Sequence, residues 1–147
     1  PAEAEEGLLR AQERPEPRLD AARAALDAGV RCAIDVSDGL AQDLGHICER
    51  SGCGAVLWAE KVPVAVELMA AFPGDALELA LSGGEDYELL FTGTPAQIDA
   101  VRRSVDVPVT VVGELVAGPP EVRIQGPGGR ALHLRTGGWD HFPGRAP

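Results

Sequence analysis

The fold of this chain is constrained most by one stretch of its sequence. In that stretch a short apolar segment is followed by an acidic turn and then by an amphipathic helical pattern. Residues 32–36 are apolar and β-competent, and apolar residues then recur on one helical face from 40 to 48. Asp35 stands near the end of the apolar segment, where a buried polar group needs a reason. The sequence therefore predicts a strand, a carboxylate-bearing turn and a helix built as one unit.

The rest of the chain continues this alternation of strands and helices. Apolar segments predict further strands at 55–59, 87–92 and 107–115, and a hairpin over 121–134 turns on a glycine-rich stretch. Thr94 opens one of the intervening helices as a capping box, with proline at the first helical position. The predicted fold class is α/β, layered in the α+β manner, with a mixed β-sheet and helices packed on it.

Two other helical patterns carry specific expectations. The spacing of Leu19, Ala22 and Leu26 predicts the buried face of a helix, and Gly29 fits the left-handed residue just past its end. Pro63 is predicted to lie in the first turn of a later helix, where its missing N–H is tolerated. These patterns place helices both before and after the acidic turn.

Composition and charge exclude several classes of protein. A chain of 147 residues can bury a core without disulfides or structural metal. A formal charge of -10 argues against a nucleic-acid partner, since phosphate-backbone binding needs clustered Lys and Arg. The apolar runs are too short to span a bilayer, and no secretory signal is visible. Three cysteines without Cys-x-x-Cys spacing indicate reduced thiols, which predicts the cytoplasm.

Two acidic, glycine-containing signatures are the main functional features: AIDVSDGL at 33–40 and SGGEDYELLF at 82–91. Asp35 and Asp38 lie three residues apart, and Mg²⁺ prefers such oxygen ligands together with phosphates. Backbone N–H groups at the helix start could converge on the same phosphate. The first signature therefore predicts Mg²⁺-dependent phosphate chemistry. The alternative is simple N-capping by Ser37 or Asp38, although one cap does not need two aspartates.

The second signature is weaker when taken alone, because a Gly-Gly pair is also typical of a flexible turn. It has neither the spacing of a P-loop nor that of a dinucleotide-binding fingerprint. Together, however, the two signatures resemble those of thiamine-monophosphate kinases. The lead-in PEPRL at 15–19 and the ending GGWDHF at 137–142 resemble that family as well. The resemblance covers nearly the whole chain, and relatives with the same fold carry different sequences at these positions.

The resemblance implies a fold like the C-terminal domain of aminoimidazole ribonucleotide synthetase. It also implies transfer of the γ-phosphoryl group of ATP onto thiamine monophosphate, with Mg²⁺. The implied site residues are Asp35 and Asp38 as Mg²⁺ ligands, Ser37 at ATP, Glu85 and Trp139 at the thiamine substrate, and Asp86 as a possible further contact. The alternatives are a solvated loop charge for Glu85 and a cover over the core for Trp139. His46 and His133 are expected to be structural or solvent-facing.

The chain departs from the family because the family's N-terminal half is missing from it. Residues 1–17 are predicted to be a connector from that missing N-terminal domain, with a short helix around Leu8 and Leu9, and 18–147 to be the C-terminal kinase domain. We expect the chain to fold but not to turn over alone, and the intact protein to be a homodimer. Two other classes stay open: a related ATP-dependent enzyme with another substrate, and a non-catalytic module that binds a ligand or partner.

Overall fold

The computed structural model describes residues 2–134. None of its helices has the length and apolar character needed to cross a membrane. The α-helices of this part are α1 Ala2–Glu13, α2 Leu19–Asp27, α3 Leu40–Ser51, α4 Val66–Ala71, α5 Ala76–Ser82 and α6 Pro95–Ser104. The strands are β1 Cys32–Asp35, β2 Gly54–Trp58, β3 Leu89–Thr92, β4 Gly113–Val116 and β5 Val122–Gln125.

The strands form two small sheets. In one, β1 and β3 pair antiparallel, so that Asp35 lies opposite Leu89. In the other, β2 lies in the centre, antiparallel to β4 and parallel to β5. Mixed strand directions with packed helices confirm the predicted fold class, while the division into two sheets was not predicted.

The main core lies between α3, α5 and the three-stranded sheet. Its fully buried members include Cys48 of α3, Leu57 of β2 and Leu81 of α5. The predicted apolar face of α3 is confirmed, because Leu44, Ile47 and Cys48 are buried and Leu40 packs against the same core. This packing fixes the helix that follows the first signature.

A second cluster joins α2 to α6, and here the predicted helix face is wrong. Leu19 and Leu26 are 72% and 73% exposed, whereas Ala21 and Ala25 are buried. Ala25 packs with Val101 of α6, and small alanine side chains allow two helices to approach closely. The leucine spacing therefore marked the outward side of α2.

Several local predictions are confirmed, whereas one predicted helix and one predicted strand are shorter in the structure. Gly29 is left-handed with φ 82°, and Thr94 makes the predicted capping box. Helix α4 begins at Val66, so Pro63 precedes it instead of lying in its first turn. The predicted strand over 107–115 is reduced to β4, and Pro108, which has no N–H for a ladder, lies in the part that is not paired.

The hairpin over 121–134 and the connector over 1–17 also differ from the prediction. After β5 the chain turns through Pro127–Gly129, and the return is an isolated bridge between Gln125 and Ala131. The connector is mostly exposed, but its helix α1 is longer than predicted and lies against α4. The connector therefore packs on the domain that it precedes in the sequence.

Candidate metal and nucleotide site

The two signatures are joined by backbone hydrogen bonds that continue the β1–β3 ladder. The N–H of Val36 donates to the carbonyl of Glu88 at 2.9 Å, and the N–H of Tyr87 donates back to Val36 at 2.8 Å. The N–H of Glu85 then donates to the carbonyl of Ser37 at 2.8 Å. Residues 36–37 and 85–88, more than forty positions apart in the sequence, therefore form one continuous surface.

Two glycines make this close approach possible. A Cβ on Gly39 would lie 2.9 Å from the carbonyl oxygen of Ser82, and its φ is 123°. A Cβ on Gly84 would lie 2.6 Å from the carbonyl oxygen of Ser37. Since real Cβ atoms do not come this close to backbone oxygen, any other residue at 39 or 84 would separate the two signatures.

The turn at 37–39 is held from inside by Asp43, a residue that the sequence reasoning missed. Oxygen Oδ2 of Asp43 accepts the N–H groups of Ser37 and Asp38 at 3.0 Å and that of Gly39 at 3.2 Å. The carboxylate is buried, with only 1% of the residue exposed. The signal was available, because Asp43 falls on the apolar face of α3, where an acidic residue needs a partner.

This arrangement corrects one expectation about the first signature. The N-cap position of α3 is Gly39, so the alternative of an N-cap at Ser37 or Asp38 is wrong. The backbone N–H groups of 37–39 donate to the Asp43 carboxylate and are therefore not available to a phosphate. A phosphate bound by the N–H groups at the start of α3 itself stays a prediction.

Asp38 belongs to the one described cluster of residues, within 2–134, that could hold a metal ion. Asp38, Asp43 and His46 each offer a ligand atom within 4.8 Å of the others. His46 Nε2 lies 3.8 Å from Asp38 Oδ2, so His46 faces this site instead of open solvent alone. Mg²⁺ is commonly bound by one or two carboxylates plus phosphates, so the two carboxylates of this cluster suit that ion. The imidazole of His46 is a ligand type that suits transition metals instead.

Asp35 is not a member of that cluster. It is exposed at the end of β1 and lines a cleft of about 300 Å³ between the start of α2 and the start of β3. Tyr87 and Glu88 line the same cleft. A metal site shared by Asp35 and Asp38 therefore stays a prediction.

The exposed turn at 85–87 holds the second group of predicted site residues. Glu85 and Tyr87 have φ of 67° and 51°, a left-handed backbone that residues other than glycine rarely adopt. The Glu85 carboxylate accepts a long hydrogen bond, 3.5 Å, from Gln12 of α1 and is otherwise turned to the surface. Strain of this kind is concentrated at functional sites, which makes the turn a candidate ligand contact.

Charged groups beside this turn interact with each other. Arg18 donates two hydrogen bonds to the Glu88 carboxylate, at 2.9 and 2.7 Å, and this carboxylate raises the pKa of Arg18. Partial burial of its carboxyl group, and secondly the Glu88 charge, raise the pKa of Asp86 to about 6, although much of the residue is exposed. Trp139, the remaining predicted site residue, lies outside the described residues.

Comparison with known proteins identifies the family of this chain. The profile of the family described as "AIR synthase related protein, C-terminal domain" matches residues 2–125. The thiamine-monophosphate kinase of Salmonella typhimurium is 39% identical over 142 residues, which is 92% of this chain and 42% of the relative. That of Haemophilus influenzae is 36% identical over 135 residues, 88% of this chain and 41% of the relative.

Solved structures give the same result. The thiamine-monophosphate kinase of Stenotrophomonas maltophilia K279a superposes with a TM-score of 0.76 at 38% identity, over 88% of this chain and 40% of that one. AaThiL complexed with AMPPCP and TMP superposes with a TM-score of 0.78 at 30% identity, over 95% of this chain and 42% of that one. The chain thus spans about two fifths of the length of these relatives.

Proposed function

This chain belongs to the family of AIR synthase related proteins, as a C-terminal domain, and from that we propose that it is the C-terminal half of a thiamine-monophosphate kinase. The reaction is transfer of the γ-phosphoryl group of ATP onto the phosphate of thiamine monophosphate, giving thiamine diphosphate and ADP. The similarity to AaThiL complexed with AMPPCP and TMP supports this proposal.

One observation carries this proposal: backbone hydrogen bonds join the Ser37 turn to the Glu85 turn. A nucleotide at the first turn and a thiamine phosphate at the second would therefore lie side by side. Ser37 contacts ATP, and Glu85 binds the thiamine substrate. Trp139 packs against that substrate, and Asp86 is a possible further contact.

Asp38 is the residue that fits a Mg²⁺ ligand best, and Asp35 is proposed as a second one. Mg²⁺, when bound, neutralises charge on the reacting phosphates. The side chains themselves bind and orient the two anionic substrates for in-line transfer, since phosphoryl transfer depends on positioning and charge stabilisation more than on a protein nucleophile. The net charge of -10 favours a cation between the chain and its phosphate ligands.

The remaining parts of the site are proposed to come from the region of the longer relatives that this chain does not match. That region would supply further Mg²⁺ ligands, most of the ATP site and the contact of a homodimer. The free thiols Cys32, Cys48 and Cys53 fit an enzyme of the cytoplasm. The chain alone is expected to bind ligand without turning it over.

Thermal unfolding tests the substrate assignment directly. The chain is unfolded with Mg²⁺ and thiamine monophosphate, and again with Mg²⁺ and glycerol 3-phosphate, in wild type, Glu85→Ala and Glu114→Ala. A ligand at 100 times its Kd adds about 2.7 kcal/mol to the free energy of unfolding. We expect a stabilisation that is selective for thiamine monophosphate, lost in Glu85→Ala and kept in Glu114→Ala, whose residue is exposed on β4.

A chimera tests the activity. This chain replaces the matched part of the Salmonella typhimurium relative, and thiamine diphosphate formation is measured. We expect activity that Asp38→Asn abolishes. A folded chimera that binds ATP but does not phosphorylate thiamine monophosphate would contradict the proposal.

A further inference from the structure

We infer that Asp43 is a positioning residue of this site: its buried carboxylate holds the 37–39 turn, and with it the Ser37 and Asp38 side chains, in the conformation that the proposed metal and nucleotide site needs. The inference rests on the proposed function for the identity of the ligands. It rests on the described geometry for the role of Asp43 itself.

A single oxygen atom of Asp43 accepts all three N–H groups of the turn, at 3.0, 3.0 and 3.2 Å. These groups precede the first residue of α3, where the helix dipole favours negative charge. Here the chain's own carboxylate supplies that negative charge, and these three donors are not available to a phosphate.

Simple capping does not account for the arrangement. A cap is ordinarily one residue at the N-cap position that accepts one or two N–H groups of the first turn. Asp43 instead reaches back from within α3, and it accepts N–H groups that lie before the helix. The Asp43 carboxylate thereby fixes the backbone that carries the Ser37 and Asp38 side chains.

The position of Asp43 also affects the charge of the site. Its carboxylate and that of Asp38 place ligand atoms within 4.8 Å of each other. Two carboxylates this close repel each other, and a divalent cation held by Asp38 relieves the repulsion. Asp43 therefore favours a cation beside Asp38.

Mn²⁺ binding to this chain tests the inference, with Mn²⁺ as a paramagnetic substitute for Mg²⁺ at oxygen ligands. Free Mn²⁺ is measured by electron paramagnetic resonance in wild type, Asp38→Asn, Asp43→Asn and Asp43→Ala. Partners that orient a metal ligand typically change affinity by about 10- to 100-fold, and we expect the Asp43 variants in that range. Asp99→Asn is the matched control, since Asp99 is a largely exposed helical aspartate of α6.

Rescue separates positioning from general stability. Formate is a carboxylate that fits the space left by Asp43→Ala, so we expect formate, and not chloride at equal ionic strength, to restore Mn²⁺ affinity and the exchange protection of the 37–39 amides. Asp43→Asn keeps the shape of the side chain, so it replaces Asp43→Ala in the affinity and exchange measurements if Asp43→Ala does not fold. Faster amide exchange at 37–39 in Asp43→Asn is the expected result without any metal.

The possible failures are distinct. A wild-type chain that does not bind Mn²⁺ would overturn the proposed metal site and the ligand-directed role of Asp43 with it. Wild-type binding that Asp38→Asn removes but folded Asp43→Asn leaves unchanged would overturn the positioning inference alone. Unchanged amide exchange at 37–39 in Asp43→Asn would overturn it as well, whatever the metal result.

Discussion

The two turns of the site are held in opposite ways. The 37–39 turn is fixed from inside by the buried Asp43 carboxylate. The 85–87 turn is exposed, has two residues with strained backbone, and is fixed mainly by hydrogen bonds to the first turn. The first turn is therefore the more rigid of the two, and the second, which we propose as the substrate contact, is the less stable.

The largest effect is expected from Gly39→Ala, which breaks the contact between the turns. The new Cβ would meet the Ser82 carbonyl at 2.9 Å with φ at 123°, and overpacking and backbone strain together should lower the free energy of unfolding by about 3 kcal/mol. Urea unfolding measures it.

Gly118→Ala is the control for that variant. Gly118 has φ 141° but nothing within 4 Å of its Cβ position, so only the strain remains, about 1 kcal/mol. Equal losses in the two variants would show that backbone conformation, and not the approach of the two turns, sets the requirement for glycine at 39.

Glu85→Gly tests the strain in the second turn, because it should raise the stability of the chain and remove its proposed ligand contact. Glycine adopts a φ of 67° without strain, so the free energy of unfolding should rise by up to about 1 kcal/mol while the response to thiamine monophosphate is lost. Glu85→Ala keeps the strain and should lose the response without the gain in stability. A destabilised Glu85→Gly would show that the turn is not strained in this way.

A feature of the fold was predictable from the sequence where it depends on residues that are close together in the chain. The capping box at Thr94 and the left-handed Gly29 are set by a few adjacent residues, so the sequence identified them. The α3 face was also predictable, because Leu40, Leu44 and Cys48 meet one core and Ile47 is buried as well. Helix α2 was misread because the packing partner, Val101 of α6, decides which side is buried.

The candidate site residues came from the sequence, whereas their arrangement did not. The two signatures gave Ser37, Asp38 and Glu85 as candidates, but the distance between them in the fold depends on backbone hydrogen bonds between distant segments. Asp43 was missed because its role exists only once the preceding turn folds back over α3. The left-handed backbone at Glu85 and Tyr87 was not predictable, because neither residue is a glycine.

A smaller effect is expected at the ion pair that attaches Arg18 to the end of the second signature. The two hydrogen bonds to Glu88 are well formed, but the Glu88 side chain is 56% exposed, so Arg18→Gln should cost only about 0.5–1 kcal/mol and less at high salt. Arg10→Gln is the control, because its pair with Glu6 is 74% and 75% exposed and should contribute almost nothing. Equal effects of the two substitutions would contradict a specific role for the Arg18 pair.

The smallest effect is expected at Asp86 and depends on pH. Its folded-state pKa is raised to about 6 from 3.8, so the folded state retains the proton longer than the unfolded state does. Stability contributed by this group is therefore present below about pH 4, falls between pH 4 and 6, and stays lost above that range. Asp86→Asn should then be more stable than wild type at pH 7, by less than about 1 kcal/mol because water screens this exposed group, and should match it at pH 4. Urea unfolding across this range measures the difference, and a gain of the same size at pH 4 and pH 7 would mean that the Asp86 charge is not its source.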